Sequence, residues 1–182
     1  MRQRRSREKG APSFPREHLI HEKGAIVKKW HNKIPVCVVY PNDYYIGMSN
    51  VALHMLYATL NSYPDIVCER CFFDEAAEIR SVESGRPLTA FALVFFSLSF
   101  ELDYANIPKI LSRSRLPEAA AVRTEGHPII VAGGICVMAN PEPVAAFIDL
   151  FIMGDIEATV PSFMDRYREV VEQKRERVID EL

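Results

Sequence analysis

Five short, nearly continuous apolar runs constrain the fold more than any other feature of this 182-residue chain. They occupy residues 34–40, 66–73, 92–98, 128–133 and 150–153. Short runs of this kind, rich in β-branched and aromatic residues, are typical of strands buried on both faces. Because the segments between them carry apolar residues at helical spacing, the pattern predicts an α/β fold with helices on both faces of a parallel sheet.

The intervening segments predict the helices of this fold. One helix is expected within residues 47–64 and is stopped by Pro64. Two others are expected at residues 103–116 and 141–148. A long, charged helix is predicted at 158–182, and the polar stretch 74–88 has room for one short helix. Five strands in this alternation match a doubly wound, flavodoxin-like three-layer sandwich, in which ligands bind beyond the carboxyl ends of the strands.

Charge is distributed unevenly along the chain. Residues 1–35 hold 10 Lys or Arg against 3 Asp or Glu, a balance of +7, so the net charge of −2 leaves −9 for the remainder. Residues 1–33 are interpreted as a basic N-terminal arm, and 1–12 are predicted to be disordered because they have almost nothing to bury. No basic run is interleaved with aromatic residues, which argues against nucleic acid as a partner and favours a solvated arm.

The predicted domain covers residues 34–160, and residues 161–182 form the helix that leads out of it. Its most apolar run, from Pro87 to Phe100, is shorter than the roughly 18 residues of a membrane span. No apolar run follows the basic N-terminus as in a secretory signal, and four scattered cysteines predict reduced thiols in a cytoplasm.

Familiar catalytic and metal motifs are absent from the sequence. Cys68 and Cys71 have the spacing of half a metal knuckle, but positions three apart in a strand point to opposite faces, so a core role is predicted. Neither a G-x-G-x-x-G loop, a Walker lysine nor an H-E-x-x-H pair occurs.

The segments that follow four of the strands mix glycine, hydroxyl, amide and carboxylate side chains. They read PNDYYIGMSN, SLSFELDY, AGGICVMANPEP and GDIEAT. Because parallel strands end at one edge of a sheet, these segments are expected to gather there and form a ligand groove. The residues predicted to line it are Ser97, Ser99, Gly133, Gly134 and Gly154.

An alternative interpretation needs no ligand. Connections between strands and helices commonly use glycine and small polar residues as turn formers and helix caps. Ser49 or Asn50 would cap one helix in this interpretation, and Asp155 another.

Blocks along the chain resemble the N-terminal domain of a group of bacterial radical S-adenosylmethionine (SAM) proteins, which is similar to cobalamin-binding domains. The blocks, from about Lys28 to Ala158, are YPNDYYIGMSNVALHMLY, VCERCFFDE, RSVESGRPL, FSLSFELDY and VAGGICVMANPEPVAAFIDLFIMGDIEA. In these proteins the Rossmann-like domain precedes a barrel whose Cys-x-x-x-Cys-x-x-Cys motif holds an iron–sulfur cluster. Since that motif is absent here, the resemblance implies that the 4Fe-4S cluster and SAM belong to a barrel further along the same polypeptide, its expected partner.

The resemblance also implies cobalamin as a small-molecule cofactor. The residues it assigns to the cofactor are Asn42, Gly47, Ser97, Ser99, Gly133, Gly134, Gly154 and Asp155. The Asp-x-His-x-x-Gly motif that supplies the lower axial histidine of many cobalamin proteins is missing, because residues 42–47 read NDYYIG. Cobalamin would therefore bind without a protein histidine.

Three functions remain open at this point. The first is a cobalamin-binding domain of a radical SAM methyl- or sulfur-transferase, and the second is a cofactor-free module of the same protein that docks the barrel or positions its substrate. The third is a free-standing flavodoxin-like binding protein. The isolated domain is not expected to be catalytic, whereas the full-length protein is expected to be a radical SAM enzyme.

Overall fold

The computed structural model describes residues 22–182 and contains one five-stranded sheet. Its strands are β1 (Ile34–Tyr40), β2 (Ile66–Phe72), β3 (Leu93–Ser97), β4 (Ile129–Gly133) and β5 (Leu150–Ile152). All neighbouring strands are parallel, in the order β2-β1-β3-β4-β5. The predicted doubly wound α/β fold is confirmed, and each predicted strand agrees with the observed one to within a residue at either end.

Helices cover both faces of the sheet. They are α1 (Tyr44–Met48), α2 (Val51–Ser62), α3 (Asn106–Arg113), α4 (Ile135–Ala139), α5 (Ile156–Val170) and α6 (Arg175–Glu181). One apolar core lies beneath α2, α5 and α6, and a second lies beneath α3 and α4. No helix within residues 22–182 is both long and apolar enough to cross a bilayer.

The period of two along a strand divides its side chains between the two cores. In β1, Val36 and Val38 face α2 and α5, while Cys37 and Val39 face α3. Cys68 and Cys71 of β2 likewise belong to different cores, which confirms that they lie on opposite faces.

The helix predicted over residues 158–182 is wrong as a single element. It consists of α5 and α6, separated by a turn at residues 171–174. The backbone N–H of Arg175 donates to the Glu125 carboxylate at 2.9 Å, and the Arg175 guanidinium donates to Asp149 at 2.6 Å. These contacts draw the chain back onto the sheet, and local helix propensity gives no sign of them.

Two further segments differ from the predicted helices. The stretch 74–88 remains irregular up to a 3-10 turn at Leu88–Ala90, because it pairs with β2: the Val82 N–H donates to the Arg70 carbonyl at 2.7 Å. The helix predicted at 141–148 is a 3-10 segment (Glu142–Phe147), and α4 just before it was not predicted.

The edge strand β2 is buried along its whole length. The loop at 79–86 covers it from one direction, and residues 22–33 of the predicted arm pack along it from another. The Trp30 indole donates to Glu69 at 2.6 Å, and the Lys28 ammonium donates to three backbone carbonyls at the end of α2 and the start of β2. Residues 1–21, including the part predicted to be disordered, lie outside the described residues.

Arg70 fixes these coverings to the strand. Its guanidinium donates to Glu83 at 2.7 Å and to Glu22 at 2.5 Å, and its side chain is 1% exposed. A guanidinium buried this deeply is tolerated because both neighbouring carboxylates neutralise it.

The turn between β4 and α4 depends on a glycine. Gly134 has a φ of +118°, and a methyl group there would overlap the Leu98 carbonyl oxygen. The Leu98 backbone is hydrogen-bonded to this turn through both of its polar groups. Its N–H donates to the Gly133 carbonyl oxygen, and its carbonyl oxygen accepts from the Cys136 N–H. The close approach of two backbones therefore requires glycine at residue 134.

We expect Gly134→Ala to destabilise the fold by at least about 2 kcal/mol, because it combines backbone strain with a steric overlap. Gly126→Ala is the matched control: a methyl group there meets nothing within 4 Å. The control should change the free energy of unfolding by no more than about 0.5 kcal/mol. Urea unfolding followed by circular dichroism measures both, and equal effects would contradict the packing role of Gly134.

Candidate functional site at the carboxyl edge

Neighbouring strands β1 and β3 continue into helices on opposite faces of the sheet. The chain passes from β1 to α2 on one face and from β3 to α3 on the other. In doubly wound sheets of this order, such a divergence leaves a crevice beyond the carboxyl ends of the strands.

Four of the predicted site residues line one cleft at this edge. They are Ser97, Gly133, Gly134 and Gly154. Apolar side chains of α2 and α5, including Leu56 and Val160, close the other side. The cleft holds only about 60 Å³, which is room for a few water molecules.

Packing within the protein accounts for the glycines of this cleft without a ligand. A methyl group on Gly133 would come within 3.3 Å of the Ile152 carbonyl oxygen, and one on Gly154 within 2.8 Å of the Thr159 methyl carbon. With Gly134 on the Leu98 backbone, all three glycines allow neighbouring segments to close on one another.

The other four predicted site residues lie outside the cleft. Gly47 is inside α1, where a methyl group would overlap the Phe72 ring. Asp155 occupies the N-cap position of α5, but its side chain makes no capping hydrogen bond. Asn42 and Ser99 belong to a second polar group, described next.

This group, the switch-point cluster, comprises Tyr40, Asn42, Asn50, Ser99 and Asp103. The Asn50 amide donates to the Ser99 hydroxyl at 2.9 Å, and the Asn42 amide donates to one oxygen of Asp103 at 2.8 Å. The Asn50 side-chain oxygen, Oδ1, also accepts from the N–H of Leu53 at 3.0 Å, so Asn50 is the N-cap of α2.

Two oxygens of the switch-point cluster are buried without a hydrogen bond to any described residue. They are the Tyr40 hydroxyl and Asp103 Oδ2. Burial raises the pKa of the Asp103 carboxyl, and the Asn42 hydrogen bond opposes this in part. Burial also raises the pKa of Tyr40, and the nearby charge of Asp103 raises it further. Sequence reasoning did not assign either residue to the site, although Asp103 continues the alternation of Ser97 and Ser99.

Comparison with known proteins places this chain in a family. The sequence profile described as "Radical SAM proteins, N-terminal" matches residues 52–182 of the 182-residue chain. The chain belongs to this family. An uncharacterized protein of Methanocaldococcus jannaschii is 34% identical to this chain over 124 residues, which are 68% of this chain and 24% of that protein. The chain thus spans about a quarter of this curated relative. No solved structure matches the chain significantly.

The cleft of this radical SAM N-terminal domain does not fit a cobalamin tail in the geometry described. Small-molecule sites enclose roughly 300–1,000 Å³, whereas this one holds about 60 Å³. The histidine of α2, His54, contacts the Met48 carbonyl oxygen at 2.8 Å. Within residues 22–182, no three His, Cys, Asp or Glu side chains are grouped so that they could hold a metal ion.

Exposed apolar side chains follow the strands around the cleft, interspersed with exposed carboxylates such as Glu101 and Asp155. We call the following exposed side chains the apolar rim: Ile46, Val51, Phe100, Leu102, Ile135, Met138 and Met153. They follow the carboxyl ends of β1, β3, β4 and β5, which are adjacent in the sheet, and Leu102 is 90% exposed. Single exposed apolar residues are ordinary, whereas clusters of them are frequent at interaction surfaces.

We expect Asp103→Asn to change how stability depends on pH. The folded state raises the pKa of Asp103 above its ordinary value of 3.8, so it binds the proton more readily than the unfolded state. The contribution of Asp103 to unfolding free energy should therefore fall as pH rises from about 4 through the raised pKa. Near pH 4 the variant should lie within about 1 kcal/mol of the wild type, and it should become the more stable protein at higher pH.

Urea midpoints between pH 4 and pH 8 test this expectation. The control is Asp180→Asn at an exposed position of α6, which should reproduce the wild-type pH profile. A constant difference between Asp103→Asn and the wild type across this range would contradict a raised pKa.

Proposed function

We propose that this chain is the N-terminal domain of a radical SAM enzyme and that its carboxyl edge is a cofactor-free platform on which the catalytic domain docks. The observation that carries the proposal is the apolar rim, which no described residue covers. The apolar rim belongs to loops and helix starts after four adjacent strands, so it offers a partner one surface.

The composition of the rim suits a packed interface between domains. Phe100 and Leu102 lie at the start of the 3-10 turn after β3, and Met138 and Met153, which follow β4 and β5, supply deformable side chains. Asp103 is a buried residue of the same turn, and its unpartnered oxygen would accept a hydrogen bond from the docked domain once the turn is rearranged.

Docking at this edge would serve the chemistry of the whole enzyme. In a radical SAM enzyme, the iron–sulfur cluster and SAM of the catalytic domain supply the radical. Barrel enzymes place their active sites at the C-terminal face of the barrel, and reactive intermediates there are protected when water is excluded. An apolar cover such as this rim would exclude water at the contact. The chain spans 24% of its relative from Methanocaldococcus jannaschii, and the proposal assigns the catalytic domain to a region outside this chain.

Cobalamin binding is the second candidate function. One observation favours it: Ser97, Gly133, Gly134 and Gly154 line a common cleft at the edge where the resemblance puts the nucleotide tail. Binding would require α2 and α5 to move away from the sheet. The methyl- or sulfur-transfer reaction proposed with this cofactor rests on the same requirement.

We expect Leu102→Asp to weaken docking by about tenfold or more, because it puts a charge into the centre of an apolar contact. The measurement is calorimetric titration of this chain with the separately produced radical SAM catalytic domain that the proposal assigns to it. Val122→Asp is the matched control, since Val122 is also exposed, at 63%, but lies in the 3-10 turn before β4. Both variants should keep the wild-type melting temperature. Equal loss in both variants, or none in Leu102→Asp, would sink the docking proposal.

We expect no saturable change in visible absorbance when hydroxocobalamin is titrated into the protein, because the cleft is too small for the tail. Saturable binding by the wild type that disappears in Gly133→Val would instead establish the second candidate, since a larger side chain fills the cleft beside Ile152. This result concerns only the cofactor, and the Leu102 experiment still decides the docking.

A further inference from the structure

A second, larger cavity lies on the α3 side of the sheet. It holds about 490 Å³ and is formed between the C-terminal end of α3 and residues 76–89. Arg80, Arg113 and Arg115 line it together with one carboxylate, Glu78, so three positive and one negative charge give its walls +2. This arginine cavity has the volume of an ordinary small-molecule site, which is roughly 300–1,000 Å³.

Two of the three guanidiniums hold the walls of the cavity. Arg113 donates to the carbonyl oxygens of Asp74 and Ala77. Arg80 donates to Glu78 at 2.6 Å and to the carbonyl oxygen of Gly85 at 3.1 Å. These contacts tie the irregular segment to α3 and to its own turn, so the shape of the cavity does not depend on a ligand.

The third guanidinium is not held by a hydrogen bond, although its charge, after that of Arg80, helps to lower the pKa of Glu78. The Arg115 side chain is exposed and makes no hydrogen bond or ion pair with any residue of 22–182, and the same holds for the Thr89 hydroxyl across the cavity. A guanidinium and a hydroxyl at one cavity are the donors that phosphate groups prefer.

Arg115 has a left-handed backbone conformation, in which arginine is uncommon. Arg115 has a φ of +59°, and its N–H donates to Ser112 while the N–H of Leu116 donates to Leu111. This is the hydrogen-bond pattern that ends a helix with a left-handed residue, a position that usually holds glycine. Arginine is disfavoured there by its Cβ. Those N–H groups satisfy the last carbonyls of α3, so the Arg115 side chain is not needed to end the helix.

We propose that the arginine cavity binds a small phosphorylated molecule, with its phosphate held by the Arg115 guanidinium and the Thr89 hydroxyl. Pro87 and the alanines at 76 and 77 offer an apolar wall to the organic part of such a ligand. A free phosphate and an organic phosphate share the recognition chemistry, and the apolar wall favours the organic one.

A purely structural role for the arginines makes a different prediction. If Arg115 served the fold, its replacement by glycine would lower stability. If it serves a ligand, Arg115→Gly relieves the left-handed strain, and the melting temperature stays the same or rises while binding is lost.

The test is calorimetric titration of the purified protein with inorganic phosphate, inorganic pyrophosphate, glycerol phosphate and a short single-stranded oligonucleotide. We expect saturable binding of the small phosphates and a roughly ten- to hundredfold weaker affinity in Arg115→Gly, as for the loss of charge-assisted hydrogen bonds. Arg115→Lys keeps the charge without the planar fork and should be intermediate. The control is Arg177→Gln, which removes the same charge from an exposed position of α6 and should bind like the wild type.

Tighter binding of glycerol phosphate than of inorganic phosphate would support an organic ligand. The proposal is overturned if no small phosphate binds saturably, or if only the oligonucleotide does. Equal losses in Arg177→Gln and Arg115→Gly would show that net charge alone is responsible and would also overturn it. So would a lower melting temperature in Arg115→Gly, since that result assigns Arg115 to the fold.

Discussion

A parallel sheet buried on both faces leaves a protein few places for polar chemistry. Each strand of this domain gives alternate side chains to two apolar cores, and β1 and β3, at the centre, have no accessible face. Polar and irregular segments are therefore confined to the ends of the strands and to the flanks of the helices. The cleft, the switch-point cluster and the apolar rim all occupy the carboxyl ends, while the arginine cavity lies at the end of a helix.

Buried ion pairs lie at the opposite end of the sheet, where the strands begin. Asp149 accepts from Arg175 at 2.6 Å and lies 3.1 Å from Arg123, and both arginines are almost completely buried. These contacts hold α6 against the strands. At the edge, Arg70 does the same for the coverings of β2 through Glu22 and Glu83. Buried ion pairs contribute little net stability, but breaking one is costly, so they specify which segments cover the sheet.

The glycines of the carboxyl edge distinguish two ways of using this fold. In a cofactor site, glycines keep a space open for a ligand, whereas here the backbone of Leu98 and the ends of β5 and α5 fill the space beside them. The edge therefore holds only a narrow cleft of about 60 Å³, beside the exposed side chains of the apolar rim. A surface of that kind suits a neighbouring domain, which brings its own bulk, better than a cofactor tail, which needs a cavity.

How much the sequence determined depends on the range of the interactions involved. The five strands, their burial and the opposite faces of Cys68 and Cys71 follow from apolar runs and a period of two, which are local properties. The convergence of Ser97, Gly133, Gly134 and Gly154 also followed, because parallel strands end at one edge. Whether that edge was open could not be predicted, since it depends on how closely α2 and α5 pack onto the sheet.

Long-range contacts decided the remainder. The division of the C-terminal segment into α5 and α6 depends on Arg175 reaching Glu125 and Asp149, 50 and 26 residues away. The irregular path of residues 74–88 depends on its pairing with β2, and the arginine cavity exists only because that segment meets the end of α3. The sequence by itself determined the layers of this protein, because hydrophobic periodicity is a local property of the chain. Only the tertiary structure decided its sites, because they are made by side chains that distant segments bring together.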